Sequence, residues 1–225
     1  MSDMKSEKVL AAPAAKLWER VPYLERGLVM ERAKESILDV VERHGVFMDR
    51  PVAEIDAAFK QIIPYAVVRH SGWYFLLRRK SAQSEQRLHD KFSIGVGGHI
   101  NPSEASRAAD IIHEGLNREL NEELDIAAEY TVRFVGLIND DTTDVGRVHI
   151  GLLYEIGAGS RAITVRETHK MDGAWAEIGM LEDRYPLLET WSQIVFDSYL
   201  QPRVKLTPEN GAAHSDLRMA AFDQP

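Results

Sequence analysis

The sequence predicts an α/β (α+β) fold with a mixed β-sheet and helices, because two residue periodicities alternate along it. Runs rich in β-branched and aromatic residues, suited to strands, lie at 62–68, 73–77, 130–138 and 148–156. Between them, Leu116, Leu120 and Leu124 recur at helical spacing. Near the end, Leu187, Leu188, Trp191, Ile194, Val195, Ser198 and Tyr199 mark one face of a closing amphipathic helix.

Taken in order, residues 1–26 mix Ala-rich and Pro-interrupted stretches and predict a partly ordered arm. Val29, Ala33, Ile37, Val40 and Val41 then predict a helix over 27–44, stopped by Gly45, and a second short helix is expected over 52–59. The runs at 62–68 and 73–77 form a hairpin that opens the sheet, with His70, Ser71 and Gly72 as its turn. Residues 81–90 are polar and predict a loop. A strand-like run at 92–96 leads into Gly97 and Gly98, where the missing Cβ lets backbone approach a ligand closely. A last short strand is expected over 174–178, and a polar tail follows residue 202. This divides the chain into an arm with a helical extension (1–60), a main domain (61–202) and a loosely held tail (203–225).

At 225 residues the chain is long enough to bury a sizeable core. Its formal net charge of −8 lacks the basic footprint that a broad nucleic-acid surface needs. No apolar run approaches a membrane span, and residues 1–10 lack a secretory hydrophobic core, so the cytoplasm is the expected location. The absence of cysteine excludes disulfides, thiolate metal sites and a cysteine nucleophile. A homodimer is the base-rate expectation for a soluble enzyme.

The chemically informative stretch runs from 97 to 126. Glu119, Glu122 and Glu123 fall within five residues. On a helix they spread over only about a 100° arc, beside the leucine stripe. That grouping is locally unfavourable, through like-charge repulsion of roughly 0.2–0.5 kcal/mol per pair and through negative charge at a helix C-terminus. Broken local rules often mark function. A hard divalent cation such as Mg²⁺ relieves clustered carboxylates and bridges to substrate phosphates; a solvated acidic face is the plain alternative.

These residues resemble the Nudix box, GxxxxxE followed by seven residues and REUxEExGU, where U is bulky and apolar. The second half matches at Arg118, Glu119, Leu120, Glu122, Glu123 and Ile126, and the first half at Gly98 and Glu104. Two departures stand out: thirteen residues separate Glu104 from Arg118, and Asp125 replaces the glycine, a substitution an αL helix end accepts. The spacer leaves two registers. Glu104 with an inserted loop is preferred because Gly98 precedes it at the family distance, and Asp110, seven residues before Arg118, is the alternative. The resemblance covers about residues 61–200 and is similar to a bacterial subgroup of MutT-type phosphoesterases.

The resemblance implies an α/β/α sandwich with a mixed sheet between helices, preceded here by the helical extension. It also implies hydrolysis of a phosphoanhydride in a nucleoside diphosphate linked to another group, or, in a non-catalytic relative, nucleotide binding alone. Mg²⁺ or Mn²⁺ would be held by the Gly97 carbonyl, Glu104, Glu119, Glu122 and Glu123. Arg118 would orient a glutamate, and Glu119 or an acid outside the box would take the proton of water. Asp140, Asp141, Asp144, Glu155 and Glu177 are the outside candidates, the three aspartates having the simpler reading of turn formers. Arg78 or Arg79 at the hairpin end is expected to reach substrate phosphate, for which the guanidinium fork is shaped; a solubilising edge cluster with Lys80 is the alternative. Gly98, His99, Asp140 and Asp141 complete the expected substrate contacts, although a lone histidine such as His99 is more often a structural hydrogen-bonder.

Overall fold

The computed structural model describes residues 6–30, 33–80, 91–103 and 105–202. The expected loop at 81–90, the tail from 203 and Glu104 lie outside these residues. The elements run β1 (Lys8–Pro13), α1 (Ala14–Arg20), β2 (Arg26–Met30), α2 (Lys34–His44), β3 (Val46–Asp49), α3 (Arg50–Ala53), β4 (Phe59–His70) and β5 (Trp73–Arg79). They continue with β6 (Phe92–Ser93), β7 (Gly95–Gly97), α4 (Ala108–Glu123), β8 (Leu124–Ile126), β9 (Tyr130–Asp140), α5 (Asp144–Arg147) and β10 (His149–Ala158). The last are β11 (Ile163–Val165), β12 (Met171–Glu177), α6 (Ile178–Asp183) and α7 (Thr190–Val195), which passes into a π-helical turn, Phe196–Leu200.

One mixed sheet carries the order β12-β5-β4-β10-β9-β2, with β4 and β10 parallel and the other neighbours antiparallel. Helices cover both faces, as the sandwich reading expects. On one face Ile62, Leu137, Ile150 and Leu152 pack with Ile37 and Val40 of α2 and Ile112 of α4. On the other, Tyr65, Val67, Ile138 and Leu153 pack with Ile194, Val195 and Phe196. The β4–β5 hairpin forms as expected: Ser71 (φ 45°) and Gly72 (φ 82°) both occupy the left-handed region that a tight hairpin turn uses.

The segment before residue 60 differs from its sequence reading. Val9, Leu10, Ala11 and Ala12 are buried in β1, which pairs with β3 and β4, so 8–13 is a core strand and not a loose arm. The helix expected over 27–44 starts only at Lys34; 26–30 is a strand on the edge of β9. The extension is therefore not purely helical. Pairing with residues 35 to 114 positions away decides this, and local propensity does not register such partners.

Along the edge that faces away from β10, β4 is bordered in turn by β1 at 59–61, β7 at 65–67 and β5 at 69–70. The Gln61 amide donates to Val148 O on the β10 side. Alternation along the strand turns the nitrogen of Pro64 toward the opposite edge, into the gap between β1 and β7, where no strand among the described residues requires its missing donor. The chain leaves the sheet at that gap, through Gly97 and Gly98.

Candidate active site

Helix α4 presents the acidic face. Ala108, Ile112, Leu116 and Leu120 recur at four-residue spacing and are buried, which fixes the helix against the sheet. Glu42 of α2 accepts from the Ala108 amide at 2.6 Å, satisfying a donor that no side chain caps locally. The helix ends at Glu123, and Leu124 returns its N–H to Leu120 O while already extended. The sequence placed Asp125 at a left-handed helix end. It lies instead in β8, paired with Thr164, and forms an ion pair with Arg166 at 2.7 Å. A direct helix-to-strand junction removes the need for the glycine.

Glu119 and Glu123, one turn apart, share a face and are half-buried, whereas Glu122 is exposed beside them. A Cβ on Gly98 would overlap the Glu119 carboxylate, so the closeness of loop to helix depends on glycine there. Arg118 holds the same loop, donating to Asn101 Oδ1, to the His99 carbonyl and, at 2.7 Å, to Glu119 Oε1. Burial pushes the Glu119 carboxyl up to about 6, with Arg118 opposing and Glu122 adding repulsion. Glu123 is pushed up to about 7, first by burial, then by Glu119, Glu167 and Glu189, against the pull of Arg79.

Arg79 sits at the end of β5 and forms an ion pair with Glu189, the residue that starts α7. The two form a charged wall beside Glu123. Glu189 is held by its amide, which donates to Phe92 O at 2.9 Å, and its charge acts on the buried Tyr65 phenol nearby. Tyr65 OH lies 2.8 Å from Ser192 Oγ and 3.1 Å from Ser93 Oγ, and Ser192 Oγ accepts from the Ile94 amide. Burial pushes the Tyr65 phenol up to about 12, so it stays a neutral hydrogen-bonding post.

The fold thus brings together Gly97, Gly98, Arg118, Glu119, Glu122, Glu123 and Arg79. Arg78 precedes Arg79 on the strand, so its side chain leaves the opposite face of β5. Asp110 is exposed in the first turn of α4, paired with Arg107 at 2.7 Å, and nine residues of helix, about 13 Å of rise, separate it from Glu119. The outside acids foreseen from sequence are engaged elsewhere. Asp141 pairs with the buried Lys60 and accepts from Tyr23 OH at 3.1 Å. Glu155 accepts from Tyr199 OH at 2.6 Å and pairs with Arg69 and Arg133. Asp144 is 87% exposed, and Glu177 lies opposite Trp73 at the far end of β5. Asp140 and His99 fall on the sheet face that α4 does not cover. The acids that do act on Glu123 are Glu189 and Glu167, the latter adjacent to Arg166, whose amide donates to Glu123 O at 2.8 Å. Neither has a sequence signal, because only the fold brings positions 167 and 189 beside 123.

Among the described residues no three acidic or histidine side chains already converge as a metal cage. The donor chemistry nevertheless fits a hard divalent cation. Two half-buried carboxylates are both raised by burial and neighbouring acids, a third, Glu122, is exposed next to Glu123, and the glycine loop lies against Glu119.

No family model matches the chain. The chain is 37% identical over 199 residues to protein YmaB of Bacillus subtilis (strain 168), an alignment that covers 85% of this chain and 96% of that protein. Its structure is similar to that of Tm1382, a candidate Nudix hydrolase, with a TM-score of 0.75 and 27% identity over 89% of this chain and the whole of the other. With that likeness over nearly the full chain, and with Arg118, Glu119, Glu122 and Glu123 carried on a helix against a glycine loop, the chain belongs to the Nudix hydrolase family.

Proposed function

We propose that the chain hydrolyses a phosphoanhydride bond in a nucleoside diphosphate joined to a second group, with Mg²⁺ or Mn²⁺ as cofactor. The observation that carries this reading is the pair Glu119 and Glu123, one helical turn apart, whose carboxyls burial and then neighbouring acids push up to about 6 and about 7. Neutralisation by a cation is the change that would let both ionise together. Glu119, Glu122, Glu123 and the Gly97 carbonyl would hold it, with Glu104 as a further ligand. A bound divalent ion polarises a phosphoryl oxygen and lowers the pKa of water.

Each remaining role falls to the chain's own groups. Arg118 fixes the Glu119 carboxylate and the 98–101 backbone, so the ligand set is held before substrate arrives. Arg79 stands at the rim as the guanidinium for a substrate phosphate. Glu189, its partner and 14% exposed, is the acid outside the box best placed to accept the proton of an attacking water. When phosphate draws Arg79 away, the Glu189 carboxylate is released for that task.

The test is hydrolysis, followed by phosphate or nucleotide release, of nucleotide sugars, dinucleoside polyphosphates, NADH, ADP-ribose and oxidised nucleotides, titrated with Mg²⁺ and Mn²⁺. Turnover of at least one that disappears with chelator is expected. No cleavage of any of them at any metal concentration would overturn the reading.

A further inference from the structure

The acidic helix concentrates its charge at the less favourable end. Glu119, Glu122 and Glu123 lie near the C-terminus of α4, no basic residue occupies its last turn, and Asp125 follows two residues after Glu123. The last helical carbonyls carry partial negative charge, so backbone and side chains together favour fraying where the expected cation ligands sit. A counter-charge for this end comes from a distant part of the chain.

Arg166, the residue after β11, makes three bonds at the junction of α4 and β8. Its amide donates to Glu123 O at 2.8 Å, its Nε to Leu124 O at 3.0 Å and its Nη2 to Asp125 Oδ1 at 2.7 Å. One planar guanidinium therefore spans the carbonyl of Leu124 and the carboxylate of Asp125, immediately after Glu123. The amide bond prolongs the β8–β11 ladder, in which Thr164 faces Asp125 and Val165 faces Leu124. Asp125 stands where the box has glycine, and glycine would offer Arg166 no carboxylate.

Arg166 is itself held in place. The segment 166–170 closes on Glu167 O, which accepts from the amides of Lys170 at 2.8 Å and Met171 at 3.1 Å. Lys80 ties that segment to the end of β5. Its amide donates to Lys170 O at 2.8 Å, and its Nζ donates to Thr168 O and pairs with Asp172, each at 2.8 Å. Lys80 follows Arg79, whose charge acts on Glu123, so this one segment joins the Arg79 strand to the end of the acidic helix.

We propose that Arg166 is a positioning residue for the cation site: by bridging Leu124 and Asp125 it locks the last turn of α4 and fixes the direction in which Glu122 and Glu123 present their carboxylates. This rests on the metal-dependent reading above. Arg118 holds Glu119 by its carboxylate, whereas Arg166 holds the helix end through the backbone. Groups that orient metal ligands in this way typically govern affinity by about tenfold to a hundredfold.

Arg166→Gln and Arg166→Lys in the full chain test it. Both keep the amide bond to Glu123 O, so only the side-chain bridge is lost. The Arg166 and Asp125 side chains are 51% and 59% exposed, and both variants should melt within about 4 °C of the parent. Two further readouts separate positioning from stability. Hydrogen exchange of the metal-free protein should quicken roughly tenfold for the amides of 121–124 in Arg166→Gln, with β4 and β10 unchanged. Mn²⁺ titration without substrate, followed by electron paramagnetic resonance, should show affinity weakened roughly tenfold or more. Lysine keeps the charge but serves only one of the two acceptors, so Arg166→Lys should recover only part of each. Either change without the other, neither change, or full recovery by lysine overturns the positioning role. Metal-dependent cleavage that persists alongside such a result leaves the hydrolase reading standing. Conversely, Mn²⁺ binding that depends on Arg166 in a protein cleaving no phosphoanhydride overturns the hydrolase reading alone, and a parent that binds no Mn²⁺ overturns both.

Discussion

Glu123→Gln separates a catalytic carboxylate from a structural one, because the structure makes the two roles act in opposite directions. In the folded protein the Glu123 carboxyl is pushed up from 4.5 to about 7, by burial first and then by neighbouring acids. An acid raised in the folded state holds its proton where the unfolded chain has already released it. Between pH 4.5 and 7 the folded state therefore binds more protons, and stability falls as pH rises through that window. The full shift corresponds to about 3 kcal/mol, lost by pH 8 and restored near pH 4. Glutamine keeps the volume without the charge, so the metal-free variant should be more stable than the parent at pH 8 by up to that amount. For a chain of this size the difference is roughly 6–12 °C in Tm. Saturating Mg²⁺ should close most of that gap, since at a hundredfold excess over Kd a bound ligand adds about 2.7 kcal/mol to the parent and much less to the variant. Melts in chelator and in Mg²⁺ at pH 4, 6 and 8, beside one turnover assay, decide it. A parent whose stability is flat from pH 5 to 8, or a variant that melts lower at pH 8 without metal or retains full turnover, refutes the reasoning.

Other perturbations follow from single contacts. Arg118→Lys keeps the charge but cannot span Asn101, the His99 carbonyl and Glu119 together; a fall in kcat with about 1–3 kcal/mol of lost stability is expected from turnover and denaturant melts. Glu189→Gln should lower kcat with KM little changed, whereas Arg79→Ala should raise KM; equal effects on both constants in both variants would mean that the pair is merely structural. Lys60→Met strands Asn139, Asp141 and the Gly146 carbonyl, and should cost about 3–5 kcal/mol in a urea melt. Glu104→Gln should weaken metal-dependent turnover and Asp110→Asn should not, given the exposed pairing of Asp110 with Arg107; the opposite ranking would reverse the register.

Local patterns alone specified the central hairpin, the paired strands β9 and β10, the acidic helix and the grouping of Glu119, Glu122 and Glu123. Each depends on residue spacing within about a dozen positions, which is the range over which periodicity speaks. Tertiary structure decided the rest. β1 and β2 became strands because β4 and β9 offered them edges, and no propensity in an Ala-rich segment announces a distant partner. Asp125 entered a strand instead of a left-handed cap because β11 was there to pair with it. Arg79 and Arg78 were indistinguishable in sequence, and the pleat separated them by sending adjacent side chains to opposite faces. Glu189 reached Arg79 from 110 residues away. Asp140, singled out along with residues of the acidic helix, ended on the opposite face of the sheet, that of Ile138. Burial and electrostatics depend on distances in space, and those exist only once the sheet has brought remote strands together.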